Sequence, residues 1–244
     1  NSYLTATDLD SKYSPASAAL ARLYLLAGVP DKAKQVVDSA LKEDPQNPAL
    51  LIVNAAIIGQ AGDLNRAIEV AELAYSLNSK DELSVALLAA LYKQGNQLDK
   101  SAEILSAGVI KFPKSVDLLR LLIDVEISRN NLDRVKKHIE NLIIIEPKTL
   151  GYRIQLAQFY IFLKDLPSAE STLRQAIKDL PDQQEAKLAL VDFLWTQRSE
   201  DDATKSIEVL VSSDPNNGAL KLALGGYLIQ QGKDIQAEKI LKEI

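Results

Sequence analysis

Apolar residues recur at helical spacing along the chain, in blocks separated by short polar turns. In one clear pair of blocks, Leu20, Leu23 and Tyr24 precede a turn at Gly28, and Pro30 and Asp31 open the next block. Pro suits the first turn of a helix, and Asp interacts favourably with the positive end of the helix dipole. The pattern predicts helices of about 14 residues and no strands.

Proline returns at a fixed spacing. Five prolines lie 34 residues, or twice 34, apart, and Ser79 fills the vacant slot: Pro45, Pro113, Pro147, Pro181 and Pro215. Since Pro has no backbone N–H and clashes with the preceding turn, it stops a helix at the same place in each period. The period predicts a repeat array.

Three more sets of positions keep the period. The set of turn residues is Gly28, Gly62, Asn96, Asn130, Lys164, Arg198 and Gly232, and it is rich in residues that tolerate a left-handed backbone. Two sets of mostly small residues begin at Ala21 and Ala33. Small residues on facing helices let the two backbones approach closely, so each repeat should fold as a helical hairpin.

These positions resemble the tetratricopeptide repeat (TPR) family, in particular its bacterial arrays. The first repeat carries Ala21, Tyr24, Ala33, Ala40 and Pro45 where the family has small, aromatic, small, small and terminal Pro residues. The repeat at 116–149 departs most, with Glu126 in place of the aromatic. The resemblance implies an all-α fold, a right-handed α-solenoid of tandem helix-turn-helix units.

The frame divides the chain into repeats. They are 14–47, 48–81, 82–115, 116–149, 150–183, 184–217 and a truncated seventh at 218–244, preceded by a remnant of an earlier repeat at 1–13. We expect a segment cut from a longer array, whose apolar ends can associate end to end; ragged natural termini are the alternative.

The composition of the chain argues against nucleic-acid binding and against insertion into a membrane. A formal net charge of −5 and a pI of about 5.1 make binding to nucleic acid phosphates unfavourable. There is no cysteine, and no apolar run is long enough to span a bilayer, so we expect no direct membrane insertion. Bacterial periplasm and cytoplasm are both compatible with this composition.

Catalytic motifs are absent from the sequence. The single histidine, His138, lies in a predicted second helix and is interpreted as a surface or interface residue. The paired carboxylates Asp201 and Asp202 fall in a predicted turn at 198–202. We therefore expect a non-enzymatic protein without metal or cofactor.

The resemblance implies that binding occurs in a concave groove lined by the first helix of each repeat. The expected groove residues are Arg22, Ile52, Ala56, Ala86, Ala90, Lys93, Arg120, Asp124, Gln158, Phe162, Asp192 and Trp195. For Trp195 and Phe162, packing in the core between repeats is an equal alternative to a role in the groove. For Asp124 and Asp192, the alternative is an ordinary solvated surface charge. Positions that hold a chaperone tail in some TPR proteins, such as Ala18 and Ala86, are mostly apolar here, so no such clamp is expected.

Two functions fit this lining. The leading hypothesis is a protein-interaction scaffold that binds a peptide or partner helix in the groove. The alternative is a structural assembly scaffold of a bacterial envelope secretion or exopolysaccharide export machine, which would use the convex face and the Asp-Pro-x-Asn loops. RNA binding is disfavoured because the groove lacks a basic stripe with regularly spaced aromatics.

Overall fold

The computed structural model describes residues 14–244, where fourteen helices are joined by short turns and no strand occurs. The helices are α1 (Ser14–Leu26), α2 (Pro30–Glu43), α3 (Pro48–Gln60), α4 (Leu64–Leu77), α5 (Glu82–Gln94), α6 (Leu98–Lys111), α7 (Val116–Ser128), α8 (Leu132–Ile145), α9 (Leu150–Phe162), α10 (Leu166–Asp179), α11 (Gln184–Gln197), α12 (Glu200–Ser213), α13 (Gly218–Gln230) and α14 (Asp234–Leu241). The predicted all-α solenoid of helical repeats is confirmed.

Odd-numbered helices are the first helices of the predicted repeats, and even-numbered helices are the second. Every repeat predicted from residue 14 onwards begins at the first residue of a helix. The remnant predicted at 1–13 lies outside the described residues. The array forms two compact units, residues 14–138 and 139–244, and each is described by itself.

Helices pack in the same way within each unit. Hairpin partners are in contact, as α3 with α4 and α11 with α12 are, and second helices also contact the next first helix, as α4 with α5 and α12 with α13 do. First helices contact one another as well, as α3 with α5 and α11 with α13 do. The first helices therefore share a surface of their own, which we call the first-helix face.

The small positions lie where paired helices approach most closely. Ser101 is buried on α6, and its hydroxyl donates to the backbone carbonyl of Ala89 on α5 at 2.7 Å. A Cβ atom at Gly108 would lie 2.6 Å from Cγ1 of Val85, closer than real side chains come. Ala89 and Ser101, one from each set of small residues, thus lie at a helix contact as expected, and Gly108, which belongs to neither set, has no room for a larger side chain.

The turn residues are left-handed at six positions and not at the seventh. Positive φ values occur at Gly28, Gly62, Asn96, Asn130, Lys164 and Gly232. Arg198 has φ −120° instead, because α11 continues to Gln197 and leaves a turn of two residues. Ser199 caps α12 by accepting from the N–H of Asp202 at 3.0 Å.

The predicted turn at 198–202 is therefore wrong beyond Ser199. Asp201 and Asp202 lie in the first turn of α12, together with Glu200. Carboxylates are favourable at this position because the helix N-terminus carries partial positive charge. They stabilise a helix end and do not form a paired acid–base site in a loop.

The hydrogen bonds of the Asp-Pro-x-Asn loops are made within the loop and to the start of the helix that follows. Asn47 accepts from the first free N–H groups of α3, and its amide nitrogen donates to Asp44 at 2.9 Å. Asn217 and Asp214 repeat this arrangement at the start of α13, also at 2.9 Å. The Asn217 amide, with Lys187 as a smaller contribution, holds the pKa of Asp214 below its usual value.

Glu126, which replaces the family's aromatic, is a buried carboxylate. It is fully inaccessible to solvent and accepts from Arg129 at 3.0 Å and from Arg134 at 3.2 Å. Arg129 also pairs with the exposed Asp99 at 2.7 Å. A charge in the core is tolerated here because two guanidinium groups reach it.

Candidate functional site

The first-helix face of residues 14–138 contains a shallow cleft between α3 and α5. It has a volume of about 390 Å³ and is lined by Ala56, Gly59, Gln60, Leu87, Ala90, Leu91 and Gln94. A Cβ atom at Gly59 would lie 3.1 Å from Leu91 Cδ2, so the two helices are close at its base. We call this the α3–α5 cleft.

Predicted groove residues divide between this cleft and the core. Ala56 is partly exposed and Ala90 is exposed, and both line the cleft. Ile52 is only 4% exposed and belongs to the hydrophobic core of residues 14–138. Its side chain packs among the helices of this unit. Arg22 on α1 and Ala86 on α5 are partly exposed.

Lys93 and Asp124 form an ion pair between α5 and α7. Both side chains remain partly exposed, so the pair adds little to stability. Arg120 is exposed one turn earlier on α7. The structure thus brings together two predicted groove residues, and the charge of Asp124 is already balanced within the protein.

The first-helix face of residues 139–244 contains an aromatic cluster. Trp195 on α11 lies against Tyr227 on α13, with ring centroids 4.5 Å apart and planes 32° from parallel. The Tyr227 hydroxyl donates a hydrogen bond to Asp192. The pKa of Tyr227 is raised, mainly because the hydroxyl is buried and to a smaller extent because of the Asp192 carboxylate. Trp195 is partly buried against the core of this unit, so it contributes to packing between repeats.

Tyr227 is the residue that the sequence analysis missed. It is adjacent to Gly226 and one position before the residue that aligns with the family's aromatic, Leu228. An aromatic beside that position was the available signal. Phe162, in contrast, is 70% exposed at the end of α9, and Gln158 is exposed one turn earlier.

One ring nitrogen of His138 makes no hydrogen bond. Its Nδ1 atom is buried and without a hydrogen bond. Burial lowers the pKa of His138, while the charge of Glu126 opposes this. Within residues 14–244, no cluster of His, Asp or Glu side chains is arranged to hold a metal ion.

Comparison with known proteins agrees with this architecture. The model of the tetratricopeptide repeat family matches residues 2–57. Residues 2–57 are thus similar to the tetratricopeptide repeat family, and the described helices beyond them continue the same repeat architecture. No curated protein sequence matches the chain. Among residues 14–244, no helix combines the length and apolarity needed to cross a bilayer.

Solved structures of TPR proteins share the fold at low sequence identity. A tetratricopeptide repeat protein from Parabacteroides merdae is 16% identical with a TM-score of 0.57, over 96% of this chain and 98% of that one. YrrB, a TPR protein with an unusual peptide-binding site, is 14% identical with a TM-score of 0.55, over 78% and 97%.

A longer relative is found in the structure of Naa15/Naa10 bound to HypK-THB. It is 17% identical with a TM-score of 0.61, and the match covers 92% of this chain. This chain spans only 35% of that protein's length. At such identities the likeness concerns the fold alone.

Proposed function

We propose that this TPR array is a protein-interaction scaffold that binds a peptide segment or partner helix on its first-helix face. The observation that carries this proposal is the α3–α5 cleft, a concave site of about 390 Å³ whose lining includes the small residues Ala56, Gly59 and Ala90. Such small residues admit the side chains of another chain close to the helix backbones. YrrB, described as having a peptide-binding site, supports peptide recognition by this fold.

Polar groups beside the cleft suit the orientation of a peptide. Gln60 and Gln94 are exposed at the ends of α3 and α5, and both line the cleft. Their amides can both donate to and accept from a partner's polar groups. The Lys93–Asp124 pair lies beside the cleft, between α5 and α7. A charged residue of the partner would meet one positive and one negative side chain there.

The test is selection from a displayed peptide library, followed by affinity measurement. Ala90→Arg fills the cleft, whereas Ala27→Arg adds the same side chain at an exposed turn. Selected peptides should bind the Ala27 variant like the unmodified protein and the Ala90 variant at least about ten-fold more weakly. Equal binding by both variants, or no selected peptide, would remove the cleft as the site.

A test of the charged groove residues needs variants that preserve their contacts within the protein. Reversing Asp124 alone would place two cations together, so the swapped pair Lys93→Asp/Asp124→Lys is the better variant. If this pair orients the partner, the swap should change which peptides are selected while circular dichroism stays unchanged. For Asp192, Asn is suitable because it can still accept from Tyr227.

A further inference from the structure

A second cleft lies on the second helices of residues 139–244. It has a volume of about 730 Å³ and runs between α10 and α12, above α11. Its apolar lining comes from Ile177, Leu190, Leu194, Val209 and Leu210. A volume of this size is typical of sites that receive several apolar side chains. We call it the α10–α12 cleft.

The rim of the α10–α12 cleft is positively charged. Four basic residues border it, with two acidic ones: Arg174, Lys178, Arg198 and Lys205, with Glu170 and Asp202. Glu170 is paired with both Arg174, at 2.8 Å, and Arg198, at 3.5 Å. Lys205 is exposed and forms no ion pair among residues 14–244. This concentration of positive charge is local, since the chain carries a formal net charge of −5.

The cleft also exposes apolar surface. Val209 on α12 is 67% exposed, although it lies beside the buried Leu190 and Leu194. Arg198, which belongs to the one two-residue turn described above, lies at the rim. An apolar floor under a basic rim is complementary to a surface with the opposite charges around an apolar stripe.

We propose that the α10–α12 cleft binds an acidic amphipathic helix of a partner protein. Apolar residues on one face of that helix would cover Val209 and the floor, and flanking Glu or Asp residues would meet the exposed Lys178 and Lys205. A helix fits better than an extended chain because its backbone hydrogen bonds are internal and the apolar floor offers no partners for them. Since α10 and α12 have 14 residues each, the matching helix is about 21 Å long.

The experiment selects peptides from a displayed library with apolar residues fixed at helical spacing and flanking positions free to be acidic, basic or neutral. Selection on the whole chain should enrich acidic flanks. Lys205→Glu should weaken binding at least about ten-fold, and rising salt should weaken binding to the unmodified chain. Lys239→Glu is the matched control, because Lys239 occupies the same position in the next repeat and is exposed.

A second pair of variants tests the apolar floor. Val209→Asp should abolish measurable binding, whereas Ile110→Asp makes the same kind of change at an 81% exposed site on another second helix and should have no effect. Ala90→Arg should also have no effect, which separates this site from the α3–α5 cleft. Enrichment without acidic flanks, no enrichment, or equal binding by the Lys205 and Lys239 variants would overturn the proposal.

Discussion

The ion cluster of Glu126 with Arg129 and Arg134 can be broken in two ways, by replacing the arginines or by replacing the carboxylate. We expect the two changes to lower the free energy of unfolding by different amounts. Replacing both arginines, as Arg129→Met/Arg134→Met, leaves a fully buried charge without its partners. Breaking a buried ion pair in this way typically costs about 3–5 kcal/mol of unfolding free energy. The accompanying loss of the exposed Arg129–Asp99 pair adds at most about 1 kcal/mol.

Removing the carboxylate should cost much less. In Glu126→Leu, Arg129 keeps its contact with Asp99, and Arg134, whose side chain is 56% exposed, reaches water. Leucine already fills the equivalent buried positions at Leu194 and Leu228. We therefore expect Glu126→Leu to change the unfolding free energy by less than about 1 kcal/mol, or to stabilise the protein.

Urea unfolding followed by circular dichroism measures both variants. With urea m values of about 1–3 kcal/mol/M, the double arginine variant should lose at least about 1 M in its midpoint. Trp195 fluorescence provides a second probe in residues 139–244, and Arg66→Met on the exposed part of α4 is the control. Equal destabilisation by Glu126→Leu and the double variant would refute the argument that an uncompensated charge dominates.

Three further predictions concern a close contact, a turn and a titrating group. Gly108→Ala should lower the unfolding free energy by about 1–3 kcal/mol in urea titration, because its Cβ atom would lie 2.6 Å from Val85 Cγ1; Val85→Ala should restore part of the loss, and an additive double variant would contradict this. Lys164→Gly should raise the free energy of unfolding by up to about 1 kcal/mol in urea titration, since Lys164 has φ 60° and glycine adopts this conformation without steric cost; a lower unfolding free energy would argue against strain at this turn. Because burial lowers the pKa of His138, the unfolded chain binds more protons as pH falls through the ordinary value of 6.5, so this residue should make stability fall with falling pH; urea midpoints of His138→Gln should depend less on pH in that window, and an unchanged dependence would exclude His138 as its source.

The helices and most turns follow from the sequence because each repeat sets the same local constraints. A Gly or Asn at the turn and a small residue at the helix contact can be recognised without knowing the neighbours. The turn at Arg198 differs because α11 gains one residue. The side chain at this position does not predict the difference, because Lys164 also lacks the preference of Gly and Asn and is nevertheless left-handed.

The candidate sites could be predicted only in outline. Ala56 and Ala90 were recognised as small groove residues, but the cleft between them depends on how closely α3 and α5 approach. The contacts of Asp124 with Lys93 and of Asp192 with Tyr227 join helices from adjacent repeats. Such contacts depend on rotation and stagger between helices, which a period in the sequence does not specify.

The Asp-Pro-x-Asn loops have a consequence for how such an array evolves. In each, the Asn caps the helix that follows and contacts the Asp three residues before it, so the junction needs no side chain from another repeat. The two loops lie five 34-residue periods apart, so duplication or loss of the stretch between them would recreate the same junction at the new boundary. Array length can therefore change by whole units in a single genetic event, while each junction keeps its local structure.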